Sequence, residues 1–394
     1  MDTFERWRAE FPILAHTVYM ISNSLGAMPR QTARHLAEYA EIWATRGVRG
    51  WEERWWEMPL EVGNKIARVI GAPAGTVSMH ENVTSAHMSA LSCEHPTAGR
   101  NVIVCSAMDF PSMIYLYRAQ QACGFDLCIV PAEPDLSSAV SRVVDAIDER
   151  TAVVAISHVL FRTSYIVDAA AIADKARRVG ATVILDTYQS AGIIPVNVTA
   201  LGIDFAAGGC LKWLCGGPGN AFLYTRPDRL STAAPAFTGW LSRANPFAFD
   251  ADDAAPRTDA MRMMNGTPAI PAYYAALAGL DIINEVGVGA IRAKSKQMTA
   301  HLLELVDGHG FTSAASRDPE RLAGTVAIDV PDAAQVSRTL KARDFIVDYR
   351  PPVGIRVSPH FYNTIDEIDR IAAEIVAIVN KKDYTPERTR SLVT

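Results

Sequence analysis

The chain has little of what would mark it for a membrane, a nucleic acid or an oxidising compartment. No uninterrupted apolar run approaches the roughly 18 residues of a membrane helix, so no membrane partner is expected. Basic residues number 38 against 43 acidic ones, giving a net charge of -5 with no basic stripe, and no nucleic-acid partner is expected either. Cysteine is scarce. The six residues Cys93, Cys105, Cys123, Cys128, Cys210 and Cys215 form no CxxC pair and lie mostly in apolar runs, which points to reduced core thiols rather than disulfides or zinc ligands. Nine histidines are scattered without ligand spacing, so no metal is expected. The stretch Met1 to Glu10 lacks the basic-then-apolar order of a signal peptide, and a cytoplasmic location is expected. There is no internal repeat and no low-complexity tract. What remains is 394 residues, 49% hydrophobic and 21% charged, enough for two globular domains.

Between about residue 75 and residue 225, short runs rich in Val, Ile and Ala recur: Asn101 to Cys105, Leu127 to Pro131, Ala152 to His158, Thr182 to Asp186, Phe205 to Cys210 and Ala221 to Thr225. They alternate with helix-like segments such as Leu136 to Asp148 and Ala169 to Val179. Strands apolar on both faces and separated by helices predict an α/β fold with a mostly parallel, doubly wound sheet, whose ligands bind at the carboxyl ends of the strands. Residues Pro235 to Arg257 read as an irregular connection, and Pro271 to Val306 as one long helical segment. The pattern then changes to strand Thr325 to Val330, helix Ala333 to Arg343, strands Phe345 to Tyr349 and Gly354 to Val357, and helix Ile365 to Asn380, which together make a small α+β domain. The tail Pro386 to Thr394 is expected to be mobile.

Leu211-Lys212-Trp213 lies between the apolar run Asp204 to Cys210 and Gly216-Gly217-Pro218-Gly219. A lysine at such a place is costly to desolvate as an ammonium, and a lowered pKa makes its amine a nucleophile toward a carbonyl, as in a Schiff base. Asp186, at the end of Ala181 to Leu185, can pair with a pyridinium nitrogen. Lysine and aspartate at successive strand ends are the minimal protein equipment for pyridoxal phosphate. Taken singly, the same residues also serve as a loop lysine and a helix N-cap.

A phosphate cup, a ring-stacking group and a carboxylate binder would complete such a site. Glu81 to Ser85 precedes the helix-like Ala86 to Cys93 and could face a phosphate at a helix N-terminus, or serve as a plain N-cap through Asn82 or Thr84. Phe110-Pro111-Ser112 follows a strand and offers a ring, for a cofactor face or for the core. Arg350 and Arg356 lie beside apolar strand residues, where a bidentate grip on a carboxylate would offset the cost of burial; an edge-strand arginine facing water is the other reading.

With these motifs the sequence resembles the class V aminotransferase superfamily of fold-type-I pyridoxal-phosphate enzymes, and within it the kynureninase-like branch. The resemblance rests on Tyr19 to Pro29 (YMISNSLGAMP), the tryptophan-rich Trp51 to Pro59, Phe110 to Ser112, Arg162-Thr163, Gly239-Trp240 and Gly354 to Asn363 (GIRVSPHFYN). It implies an N-terminal arm over residues 1–25, a large cofactor domain over 26–265, and an interdomain helix with a small C-terminal domain over 266–394. It further implies that Val83 and Thr84 hold the phosphate, that Phe110 stacks on the ring with Ser112 beside it, and that Asp186 binds the ring nitrogen. Thr163, Gln189 and Trp240 match further cofactor contacts, and Gly266-Thr267-Pro268 matches a segment reaching the phosphate of the partner subunit in a homodimer with shared active sites. Lys212 matches the Schiff-base lysine. Arg356, with Arg350 and Asn23, is expected to hold an amino-acid substrate.

The implied activity is that of a lyase or hydrolase at the β-carbon of an L-amino acid; transamination, C–S β-elimination, epimerisation and a non-catalytic binding protein are the alternatives. Met113 and Leu211 stand where the kynureninase pattern has aspartate and tyrosine, and Gln189 where it has histidine. No cysteine follows Cys215, so the cysteine nucleophile of a desulfurase is absent from the C-terminal part.

Overall fold

The computed structural model describes residues 4–132, 136–252 and 255–385. Its strands are β1 (Val18–Tyr19), β2 (Val77–His80), β3 (Val102–Ser106), β4 (Asp126–Val130), β5 (Thr151–Ser157), β6 (Thr182–Asp186), β7 (Phe205–Gly209), β8 (Ala221–Thr225), β9 (Thr312–Ser313), β10 (Val326–Asp329), β11 (Phe345–Ile346), β12 (Asp348–Arg350) and β13 (Gly354–Val357). The central sheet runs β2-β8-β7-β6-β5-β3-β4 and is parallel except for β8, which is antiparallel to both its neighbours. Every residue of β5, β6 and β7 is buried, as a sheet covered by helices on both faces requires. The carboxyl ends of these three strands deliver Ser157, Asp186 and the loop carrying Lys212 to one edge of the sheet.

The large-domain helix expected from Ala86 begins three residues earlier, at Val83, and runs to Leu91. Asn82 sets this start: its side chain accepts from the Ser85 amide at 3.0 Å while Ser85 Oγ closes the reciprocal half of a capping box. The helix expected over Leu136 to Asp148 ends at Asp145. The expected tail over Pro386 to Thr394 lies outside the described residues.

The segment Pro271 to Val306 is two helices, Ile270–Val286 and Val288–Gly308, bent by 82° at Gly287, whose φ of 80° favours glycine. Among the described residues no single helix is long and apolar enough to cross a membrane. The first of the pair packs Ile270, Tyr273, Leu277 and Leu280 into the large core; Met298, Leu302 and Val306 of the second belong to the smaller core. The second helix also gives Ile291 to the large core, so the two cores meet along it. The small domain is a four-stranded antiparallel sheet, β12-β13-β10-β9, covered by helices Ala333–Ala342 and Ile365–Lys381.

The run read as one strand from Phe345 to Tyr349 changes partner midway. Strand β11 pairs in parallel with β1 of the arm, and β12 pairs with β13. The arm is thereby stitched to the small domain. Arg8 clamps Glu367 through two bonds of 3.0 and 2.7 Å, and the Asn363 amide donates to the Tyr19 carbonyl at 3.1 Å. The arm thus carries residues 21–26 to the sheet edge where Lys212 lies, and Gly26 N–H donates to the Leu211 carbonyl at 2.9 Å.

Candidate active site

Lys212 follows β7 by three residues in a loop that closes on itself: Gly216 N–H donates to the Cys210 carbonyl at 2.7 Å and Cys215 N–H to the Lys212 carbonyl at 3.1 Å. The arm fits against this loop only at a glycine, because a Cβ on Gly26 would lie 2.1 Å from the Lys212 carbonyl oxygen. The Lys212 ammonium lies 4.2 Å from the Tyr188 ring centroid and 5.9 Å from that of Phe110. Tyr188 takes this position because β7 ends in glycine: a Cβ on Gly209 would sit 2.0 Å from Tyr188 Cε2.

Burial dominates the electrostatics. It pulls the Lys212 pKa down to about 7, with Asp186 opposing and Arg356 adding to the shift, so a large share of the amine is unprotonated at neutral pH. Burial also pushes Asp186 up to about 6, against a 2.8 Å bond from the Tyr188 amide and the charge of Lys212. Behind Asp186, His87 Nε2 lies 4.0 Å from Oδ2, and the other ring nitrogen is bonded to the Tyr117 hydroxyl at 2.8 Å. Burial lowers His87 to about 3, so the ring is neutral.

A cavity of about 290 Å³ brings together Asn23, Val83, Phe110, Asp186, Gln189, Lys212, Arg350 and Arg356, eight of the residues singled out from the sequence. Asn23 is 1% exposed, and neither end of its side-chain amide bonds another protein group. Val83, which lines the cavity, opens the helix Val83–Leu91, a helix N-terminus of the kind that receives an anion; Thr84 is next to it in the first turn but does not line the cavity. Phe110 is the N-cap of helix Pro111–Ala119, in whose first turn Ser112 sits, and its ring meets Phe161 edge-on at 5.2 Å. Thr163 lies two residues past Phe161, with its hydroxyl buried and unpartnered.

Arg356 is placed differently from the sequence reading. Its bidentate carboxylate is internal: Nε donates to Asp348 Oδ1 at 2.9 Å and Nη2 to Oδ2, while Nη1 donates to the Phe161 carbonyl at 2.5 Å. Asp348 and Arg356 are cross-strand partners in β12 and β13, on one face of the small sheet. Of the five N–H donors of the guanidinium, three are committed by these bonds, leaving two for the cavity that Arg356 lines. Arg350 lies 3.4 Å from Asp348 and donates to the Tyr349 carbonyl.

Trp240 and Thr267 do not join this group within one chain. They line a separate hollow of about 830 Å³ with Trp51, Trp56 and Phe247. Asp348, Phe161, Tyr188 and His87 were missed in the sequence. Asp348 carried a faint signal, an acid two residues from an arginine in a strand, but the register that pairs it with Arg356 is a tertiary fact.

The arrangement suits pyridoxal phosphate: a desolvated amine, a buried carboxylate near it, a helix N-terminus, an aromatic ring and two guanidiniums around one cavity. The family model for aminotransferase class-V matches residues 18–371, and the chain belongs to that family, whose cofactor is pyridoxal phosphate. It is 32% identical over 376 residues to an uncharacterized aminotransferase, YcbU, of Bacillus subtilis (strain 168), covering 94% of this chain and 98% of that protein. With the kynureninase of Pseudomonas fluorescens it shares 29% identity over 97% of this chain and 94% of the relative. Among solved structures, the apo cysteine desulfurase of Thermococcus onnurineus NA1 superposes with a TM-score of 0.83 at 21% identity, covering 97% of this chain and 99% of that one. A mutant of C-DES with glycine covalently linked to the cofactor superposes with a TM-score of 0.84 at 20% identity, covering 96% and 99%. These likenesses fix the fold type: a fold-type-I enzyme with a mostly parallel central sheet.

Proposed function

We propose that the protein acts on an L-amino acid, removing its α-proton and cleaving at the β-carbon in the manner of a kynureninase-like lyase or hydrolase. The observation that carries this reading is the Lys212 amine, held near neutrality by burial in a cavity that also contains Asp186, Arg356 and the unpartnered Asn23 amide. When bound, pyridoxal phosphate supplies the electron sink into which the bonding electrons of the substrate flow. The chain's own residues do the rest. Lys212 would anchor the cofactor, and its amine, largely freed of its proton by burial, would be the base for the substrate α-proton. Asp186 would hold the proton of the ring nitrogen. Arg356, with Arg350 and Asn23, receives the substrate carboxylate, and Val83 and Thr84 present their helix terminus to the phosphate. The kynureninases at 27 to 29% identity over 97% of the chain support the β-carbon reading.

One observation favours transamination as a second reading. Leu211 lines the cavity where the kynureninase pattern has a tyrosine, so the residue before the lysine offers no phenol to hand a proton to a cleaved carbon, and the relative at 32% identity is named an aminotransferase. The active unit is proposed to be a homodimer with shared sites. Trp240 and Thr267 support this, since they lie outside the Lys212 cavity of their own chain, in a hollow whose rim exposes 60% of Phe247.

The test is to mix the purified yellow protein with a panel of L-amino acids, kynurenines included, and identify products by mass spectrometry. Alanine with an aromatic acid supports cleavage at the β-carbon; a 2-oxo acid with the substrate's carbon skeleton intact, accompanied by the amine form of the cofactor, supports transamination. Lys212→Ala is expected to abolish borohydride-fixable cofactor, because only a lysine amine forms that bond. Cofactor still fixed in the variant would place the anchor elsewhere.

A further inference from the structure

Gln189 is wedged between two neighbours of fixed character. The Trp213 indole Nε1–H can only donate, and it reaches Gln189 Oε1 at 3.0 Å; the Asn23 main-chain oxygen can only accept, and it takes Gln189 Nε2 at 3.0 Å. A side-chain amide is free in principle to sit either way round. Here both neighbours demand the same orientation. The amide nitrogen carries two hydrogens, and the bond to Asn23 uses one. Gln189 lines the cavity at 8% exposure, so the second hydrogen is the donor it has left for a ligand.

Trp213 is itself fixed. It is 1% exposed, its carbonyl accepts from His360 Nε2 at 2.8 Å, and its ring meets that of His360 edge-on at 5.4 Å. Gly324 makes room for it, since a Cβ there would lie 2.8 Å from Trp213 Cη2. The indole therefore cannot turn away from Gln189 without repacking the interface between the lysine loop and the small domain.

We propose that Trp213 is a positioning residue that sets the polarity of the cofactor site: its indole N–H locks the Gln189 amide so that the cavity meets an N–H donor rather than a carbonyl, and the donor serves an acceptor oxygen of the bound cofactor. The inference rests on the cofactor site assigned around Lys212. Without the indole N–H, only the Asn23 carbonyl still favours this orientation, so the amide loses one of the two bonds that hold it and turns more easily. A flipped amide would turn lone pairs toward an oxygen that needs a donor.

The test uses four holoenzymes, wild type, Trp213→Phe, Gln189→Leu and the double variant, and reads the pyridoxal phosphate dissociation constant together with the visible absorbance of the lysine-bound cofactor. Each single variant is expected to weaken cofactor binding about tenfold, the size of one hydrogen bond to a ligand, and to shift the visible band. The double variant is expected to bind no more weakly than Gln189→Leu alone, because the tryptophan acts through the glutamine. If the two losses multiply, Trp213 acts by packing and the proposal fails; it fails equally if Trp213→Phe matches wild type in affinity and spectrum. Should Trp213→Phe not fold, 3-benzothienylalanine at position 213 keeps the fused-ring shape and removes only the N–H. That analogue must reproduce the weakened binding, and wild-type behaviour from it overturns the proposal. Wild-type protein that fixes no cofactor on Lys212 overturns the site assignment itself, a failure distinct from the others because it is seen before any residue is changed.

Discussion

Arg356 meets a carboxylate before any substrate arrives, and that makes its removal a compound event. Arg356→Ala takes two donors from the cavity and also strands Asp348, fully buried with its main partner gone. The first loss is expected to cost about 30-fold to 1000-fold in kcat/KM, the roughly 2 to 4 kcal/mol of a charge-assisted contact. The second is expected to lower stability by roughly 3 to 5 kcal/mol, measured by denaturant unfolding. Adding Asp348→Ala separates the two: stability should recover in large part while kcat/KM stays low. Recovery of both together would mean that Arg356 only neutralises Asp348 and does not touch substrate.

Asp186 makes a second prediction at the same scale. Its pKa in the folded protein is raised from 3.8 to about 6, so between those values the folded state binds the proton more tightly than the unfolded state does. Stability linked to this group falls as pH rises through that window, and above about 6 the cofactor-free protein carries the full cost of a buried carboxylate. Asp186→Asn is therefore expected to raise the Tm of the cofactor-free protein at pH 8, with the gain shrinking toward pH 4, while weakening cofactor binding. An equal gain at both pH values would mean that burial of charge is not the cause.

At the scale of the elements, β7 shows how a strand can place a site through what it omits. Its terminal Gly209 leaves the space in which the Tyr188 ring lies, 4.2 Å from the Lys212 ammonium. Gly209→Ala puts a methyl group where Tyr188 Cε2 would be 2.0 Å away, so the ring must move. The protein is expected to fold yet to lose cofactor affinity about tenfold or more, read by equilibrium titration; unchanged affinity would mean that Tyr188 has no part in the site. The buried strands β5, β6 and β7 were legible as apolar runs, and with them the placement of Asp186 and Lys212 at strand ends. Less legible were features set by pairing partners far along the chain. Phe345 to Tyr349 looks like one strand because its side chains suit a sheet throughout, and only the arm strand β1 divides it. The helical periodicity of Pro271 to Val306 runs through the break at Gly287, so composition hid an 82° bend. Asn82 and Thr84 were both in view as cap residues, but the reciprocal bonding of Asn82 with Ser85 that starts the helix at Val83 depends on backbone geometry.

For the whole molecule the question is whether one chain holds a complete site. The Lys212 cavity gathers groups from the arm, the large domain and the small domain, and the two cores are joined by β1 pairing with β11 and by Arg8 bonding Glu367. Yet Trp240 and Thr267 face a different hollow, lined by Trp51, Trp56 and Phe247, and Phe249 beside it is 78% exposed. Aromatic surface of this kind is characteristic of an interface. If two copies meet there and each lends Thr267 to the other's cofactor phosphate, two inactive variants should complement. Lys212→Ala lacks the anchor, and Thr267→Asp sets a carboxylate against the phosphate. In a mixed dimer one site carries both defects and the other carries neither, so a preparation refolded from both chains together should regain activity that neither parent has, with mixed dimers holding about half the sites of wild type. Sedimentation should give a dimer for each parent and for the mixture. Activity no greater than the sum of the two parents, in a mixture shown to contain mixed dimers, would mean that the site is complete within one chain and that Thr267 serves its own.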